Sequence, residues 1–213
     1  MKVFMIGATG RVGSRILREA LDRGHHVTAL VHRVDAMTRH SNLTLISGDV
    51  FDTESLAEQF IGHEAVIHSY APPREHPNRR EEQIRATTSI IAALKRARMK
   101  RILAVGGAGT LETSPGVRLM DTPELPREWQ SGAISTAEIK YLLEKEMDLE
   151  WTFLSPSFYL RPGKRTGKFR LGTDALLRDQ DGSSRISTED YAVAMIDELE
   201  NPRHIRMRFT VGY

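Results

Sequence analysis

The residues with the clearest chemistry are three glycines near the front of the chain, in the order Gly7-Ala-Thr-Gly10-Arg-Val-Gly13. They follow a short apolar run, Lys2 to Gly7, and precede a stretch with apolar residues at helical spacing, Val12, Ile16 and Ala20. Glycine suits each position for a different reason. At 7 it permits the tight strand-to-helix turn, at 10 it lets an anion reach the backbone, and at 13 it lets the helix pack close to the strand. Unpaired amides at the positive end of that helix then attract the pyrophosphate of a dinucleotide. Thr9, Arg11 and Val12 complete the turn and join the three glycines as candidate cofactor-contacting residues.

The second strand carries the next signal. It ends Ala29-Leu30-Val31-His32-Arg33, with no carboxylate before Asp35. A carboxylate there would hold the ribose 2′-hydroxyl of NAD, whereas His32, Arg33 and Arg11 suit a 2′-phosphate. NADP(H) is therefore favoured as cofactor, with NAD(H) kept open. Asp49 and Val50 follow the third strand, at the corner beside the adenine. There Asp49 either accepts from the adenine amino group or only shapes a turn. Tyr70 and Ala71 follow the fourth strand, and Gly106 and Gly107 close the fifth. Ligands bind outside the carboxyl ends of strands in an open α/β sheet, so these four complete the candidate set. In the same loops, Arg74 and His76 can reach a substrate, and Trp129 can stack on a flat ring or merely anchor its loop. The basic run Arg161, Lys164, Arg165, Lys168 and Arg170 can receive a phosphate or form a solvated face.

The elements that must position these groups alternate. Strands are predicted at 2–7, 27–31, 43–46, 65–69, 102–105, 151–154 and 209–211. Helices are predicted at 11–23, 35–39, from Asp52 or Thr53 to 61, 81–98, 136–146 and from a capping box at Ser187–Asp190 to 199. Residues 71–78 and 108–132 are predicted to be loops, and 157–185 has little periodicity. Strand–helix alternation predicts a doubly wound parallel sheet, an α/β Rossmann fold. One domain over 1–213 is expected, with 155–185 forming a substrate-side segment.

Composition removes several function classes. With no cysteine in 213 residues, disulfides, thiolate catalysis and cysteine-held metals are excluded. None of the eight histidines has a partner at metal-ligand spacing, so no metal is expected; His68 is expected in the core, and His25 and His26 in a solvated turn. Thirty basic against 28 acidic residues leave a net charge of only +2, too little to predict nucleic-acid or membrane binding. The apolar run at the N-terminus is too short for a signal sequence, and a cytoplasmic protein is expected.

Taken with Gly48-Asp-Val50, Gly106-Gly-Ala-Gly-Thr-Leu111, Pro115-Gly-Val-Arg-Leu119, Trp151-Thr-Phe-Leu-Ser-Pro156, Arg185-Ile-Ser-Thr-Glu-Asp-Tyr-Ala192 and Phe209-Thr-Val-Gly-Tyr213, the glycine turn resembles that of the atypical short-chain dehydrogenase/reductases. Within them the chain is most similar to the NADH-flavin reductase group, and more distantly to biliverdin reductase B, a flavin reductase. The resemblance implies a seven-stranded Rossmann sheet, NADP(H) binding and reduction of a flavin (FMN or FAD as substrate) or a quinone. It also implies a place for a Tyr-x-x-x-Lys pair, which here reads Ala133-Ile-Ser-Thr-Ala-Glu138, and for a serine, which here is Gly106-Gly107; Lys140 and Tyr141 come about a turn late. No catalytic residue is assigned. The missing pair is expected of a direct-hydride reductase or of a non-catalytic NADP(H) sensor that regulates a partner protein, and it argues against an enzyme reducing ordinary ketones or sugar nucleotides. The oligomeric state is open.

Overall fold

The fold is taken from a computed structural model that describes residues 1–31 and 39–213. Its central sheet has, among the described residues, eight strands in the order β10-β12-β8-β5-β4-β1-β2-β3. These are β1 (Lys2–Ile6), β2 (His26–Val31), β3 (Leu43–Ser47), β4 (Ala65–His68), β5 (Arg101–Val105), β8 (Glu150–Pro156), β10 (Arg170–Gly172) and β12 (Met207–Gly212). Seven run parallel, as the alternation demands. The eighth, β10, adds an antiparallel edge on β12. It arises in the aperiodic 157–185 segment, where three residues are too few to leave a pattern.

The strands bury both faces. On β1, Val3 and Met5 join the core beneath α1 (Gly13–Asp22) and α5 (Thr188–Glu200), while Phe4 and Ile6 join the core beneath α2 (Thr53–Phe60), α3 (Arg79–Arg96) and α4 (Arg127–Leu143). This is the period-two alternation of a strand, with helices covering each side. Local chemistry sets the helix ends. Asp52 caps α2 by accepting from Ser55 N, and Ser187 caps α5 by accepting from Asp190 N. Only half of the capping box forms, because the Asp190 carboxylate instead accepts from Thr166, Gly167 and Tyr213.

Three expectations change. Helix α4 begins nine residues before the predicted start, directly after Pro126, so that 108–132 is only partly loop. Gly132 and Ser131 obscure its periodicity, and packing against α3 supplies what propensity lacks. The rest of that region folds as two short 3-10 turns around a hairpin, β6 (Glu112–Ser114) and β7 (Val117–Arg118). Strand β8 runs through Pro156, tolerated at the last pair of the ladder. His25 is buried, with Nε2 2.9 Å from Glu200 and Nδ1 3.2 Å from the N-terminal amine. The predicted 35–39 helix falls mostly outside the described residues.

His68 on β4 is wholly buried as expected, with Nε2 3.2 Å from Thr87 Oγ1 and Nδ1 without a partner. Burial pushes its pKa from 6.5 down to about 4, so the folded protein holds the neutral ring. Below pH 6.5 the unfolded chain binds the proton and the folded chain does not. The stability from this group is complete above pH 6.5 and is lost as pH falls towards 4, by about 3 kcal/mol. Urea unfolding of wild type and His68→Gln over this range should show the difference between them drifting by that amount. A pH-independent difference would refute the assignment.

Candidate functional site

A cleft of about 870 Å³ opens along the carboxyl ends of the parallel strands. Two walls meet there. One is the β1–α1 turn with the ends of β2 and β3; the other is the proline loop after β4, the start of α3, the 105–125 region and the first turns of α4.

The glycine turn is built as its spacing demands. Gly7 has φ +86°, and a Cβ on it would lie 2.4 Å from Ser69 O. A Cβ on Gly13 would lie 2.1 Å from Gly7 O. Both positions therefore exclude any side chain, one by conformation and contact, the other by contact alone. A Cβ on exposed Gly10 would meet only Gly7 O, at 3.2 Å, so its role is to keep the cleft side open. Helix α1 has no side-chain cap and no acidic residue in its first turn, which leaves its positive end available to an anion. Exposed Arg11 lines the same wall and has no ion-pair partner among the described residues. A bare glycine cradle, an uncapped helix start and an adjacent cation fit a dinucleotide pyrophosphate.

Ten of the fourteen sequence candidates line this one cleft: Gly7, Thr9, Gly10, Arg11, Val12 and Gly13 from the turn, and Val50, Tyr70, Ala71 and Gly107 from the facing loops. Asp49 stands outside the lining, its Oδ1 accepting from Phe51 N at 3.0 Å in a local turn. Gly106 also stands behind the wall. A Cβ there would strike the Phe153 ring at 2.5 Å, and its amide donates to Leu154 O. Its glycine is needed for packing. His32 and Arg33 lie outside the described residues.

Tyr70 donates from its hydroxyl to Glu82 Oε1 at 2.6 Å, and His76 Nε2 lies 2.6 Å from Glu82 Oε2. Burial, reinforced by the Glu82 carboxylate, pushes the Tyr70 phenol above its ordinary range, so it is a poorer acid than a free tyrosine. Asn78 N donates to His76 Nδ1, which places the ring proton on Nε2 facing Glu82. Sequence reading missed Glu82, which shows there only as a helix-start acid; the fold alone brings it under Tyr70.

The opposite end is apolar. Leu119, Leu125, Trp129 and Phe158 line it, with Trp129 and Phe158 rings 5.4 Å apart. Trp129 thus sits on α4 and anchors a small cluster while still facing the cleft. The α4 positions facing the cleft are Glu128, Trp129, Gly132, Ala133 and Thr136, none of them a tyrosine or lysine. Tyr141 instead accepts from Arg118, and Lys140 pairs with Glu144. The basic run after residue 160 is mostly structural. Arg165 pairs with buried Glu19, Arg170 donates to main-chain carbonyls, and Arg161 covers the Tyr159 ring. Of the 155–185 segment, Phe158 lines the cleft.

A parallel doubly wound sheet with a bare glycine turn at its first βα junction defines a Rossmann-type dinucleotide-binding protein. The chain belongs to the NAD(P)H-binding family, whose model matches residues 7–202. It is 40% identical to the uncharacterized protein YwnB of Bacillus subtilis, covering 99% of this chain and 98% of that one. Among solved structures it is 42% identical to one from Bacteroides thetaiotaomicron titled a "putative epimerase" (TM-score 0.92, covering 100% of this chain and 96% of that one). It is 32% identical to one from Streptococcus pneumoniae titled a "putative NADH-flavin reductase" (TM-score 0.88, 100% and 99%). A nicotinamide cofactor and a general NAD(P)-dependent oxidoreductase or binding role follow. Among the described residues no helix is long and apolar enough to cross a membrane, and no cluster of three or more metal-ligating side chains forms.

Proposed function

We propose that the protein is an NADPH-dependent reductase that passes hydride directly to a flat, electron-poor acceptor of the flavin or quinone class. The observation that carries this reading is the division of one cleft between the bare glycine turn and an apolar wall of Leu119, Leu125, Trp129 and Phe158. The nicotinamide, when bound, supplies the hydride. The chain's part is to hold donor and acceptor face to face and to exclude water. Gly7, Gly10, Gly13 and Arg11 fix the phosphates, Val50 borders the adenine side, Tyr70, Ala71 and Gly107 border the nicotinamide, and the leucines with the two aromatic rings seat the acceptor. NADPH is preferred on the strength of Arg11, His32 and Arg33.

Reduction of a ketone, or epimerisation through one, needs a positioned acid and base. The cleft-facing part of α4 offers glycine, alanine and threonine beyond Trp129 and the exposed Glu128, and Tyr70, the phenol among the described lining residues, has its proton committed to Glu82. A flavin or quinone is electrophilic enough to accept hydride without such a donor, with the proton following from water.

The test is oxidation of NADPH by the purified protein with FMN, with NADH in parallel and a quinone as second acceptor. Turnover with NADPH well above that with NADH is expected. Tight NADPH binding with no turnover against either acceptor would replace this reading with that of a non-catalytic sensor, which the bare α4 face also favours.

A further inference from the structure

Arg79, the first residue of α3, lines the cleft at its acceptor half. Its guanidinium lies over Gly132 of α4: a Cβ on Gly132 would stand 3.3 Å from Arg79 Nη1. Ser135 of α4 donates to the Arg79 carbonyl, which ties this end of α3 to the α4 wall that carries Trp129. The Arg79 side chain is partly buried, its Nε is enclosed with no hydrogen-bond partner, and no carboxylate lies within ion-pair distance among the described residues. Burial, with Arg74 nearby, pushes its pKa down, and Glu75 offsets this only from a distance. A cation held this way costs stability unless an anion completes it.

The other charges facing the cleft do not complete it. Both Glu82 oxygens are occupied by Tyr70 and His76. Glu128 lines the cleft mouth but is exposed and makes no ion pair with Arg79. Arg74, on the proline loop, lines the cleft beside Arg79 and adds a second positive charge. With glycine at 132, the α4 face beneath the guanidinium carries no side chain.

We propose that Arg79, assisted by Arg74, is an anion-recognition site for the acceptor, whose flat ring lies against Trp129 and Phe158 while a phosphate or carboxylate attached to it meets the guanidinium fork. This rests on the acceptor reading above and narrows it: the ligand is a planar ring bearing an anionic group, not a neutral ring. Arginine suits the role because its planar fork binds such oxyanions with two parallel hydrogen bonds. Arg79 is held against α4 through Ser135 and Gly132, and the NADP⁺-binding arm of the experiment separates its anion from the dinucleotide's own phosphates.

The experiment measures dissociation constants in the presence of saturating NADP⁺, for two matched pairs of probes. FMN against riboflavin tests phosphate, and a naphthoquinone carboxylate against its neutral parent tests carboxylate. Wild type should bind one of the charged members more tightly than its neutral partner by about 10- to 100-fold. Arg79→Gln should abolish that preference, leave the neutral partner's affinity unchanged and leave NADP⁺ binding unchanged, while Arg79→Lys restores part of it. If Arg79→Gln does not fold, Arg74→Gln, on the exposed proline loop, should cause the same selective loss in part. Equal affinity of wild type for both members of each pair would overturn the proposal, as would a loss shared equally by charged and neutral members. Binding is read without turnover, so the two readings separate. An Arg79-dependent preference without hydride transfer sustains the anion site and ends the reductase reading; brisk turnover without the preference does the reverse.

Discussion

Replacing Gly13 with alanine should lower affinity for the dinucleotide by more than about 100-fold, nearly 3 kcal/mol of binding, and destabilise the fold as well. The added Cβ would lie 2.1 Å from Gly7 O and 2.9 Å from Gly7 C, both backbone atoms. No rotamer relieves a backbone clash, so either α1 must lift from β1 or the turn must open. Lifting α1 loosens Ile16, Leu17 and Ala20 from the core that they share with Val3 and Met5. Strain of that kind costs about 1–3 kcal/mol. Gly10→Val is the informative contrast. Its Cβ meets only one oxygen, at 3.2 Å, on an exposed surface. That variant should fold almost as well as wild type and still bind NADPH poorly, because the new side chain occupies the phosphate side of the turn. Calorimetric titration with NADPH alongside thermal melts separates the two effects. Wild-type NADPH affinity in both variants would remove the turn from the binding site.

The second large effect lies at the amino ends of the strands, opposite the cleft. Arg101 begins β5 and is 8% exposed; Glu198 on α5 is 4% exposed. Arg101 donates to Glu150 O at 2.8 Å, to Thr152 Oγ1 at 2.7 Å and to Glu198 Oε1 at 3.3 Å. Glu198 also accepts from the amides of Arg203 and His204 and lies 2.7 Å from His204 Nδ1. One carboxylate thus joins β5, β8, α5 and the turn into β12. Glu198→Ala strands a buried guanidinium and two main-chain donors, and should cost about 3–5 kcal/mol. Replacing both partners, Arg101→Met with Glu198→Met, should recover much of that, since a buried pair exchanged for apolar groups is close to neutral. Urea midpoints with an unchanged slope would measure it. A Glu198→Ala loss below about 1 kcal/mol would mean that water reaches the pair and screens it.

The difference between these two positions shows where sequence reasoning works. Gly13 was legible because its neighbours in sequence, a strand before and a helix after, are also its neighbours in space. The same holds for Asp52 and Ser187, whose caps bind amides three residues on. Arg101 in sequence closes the basic stretch Lys95–Arg101 between a predicted helix and a predicted strand, and its partner lies 97 positions away. Nothing local marks it as buried. Likewise the basic run after residue 160 reads as a phosphate site or a solvated face, yet Arg165 meets buried Glu19, 146 positions distant.

The alternation of apolar strands with helical periods determined the fold class and the strand count to within the short edge strand β10, and the glycine turn marked the end of the sheet where the cleft opens. These follow from local periodicity and turn chemistry, which any window of a few residues contains. Tertiary structure alone decided where α4 begins, that Gly106 serves packing while Gly107 faces the cleft, that Glu82 takes the Tyr70 proton, and that Arg79 stands in the acceptor half without a carboxylate. Each of these depends on which distant side chain ends up within a few ångströms, a quantity set by helix packing across the sheet and written in no single stretch of the chain.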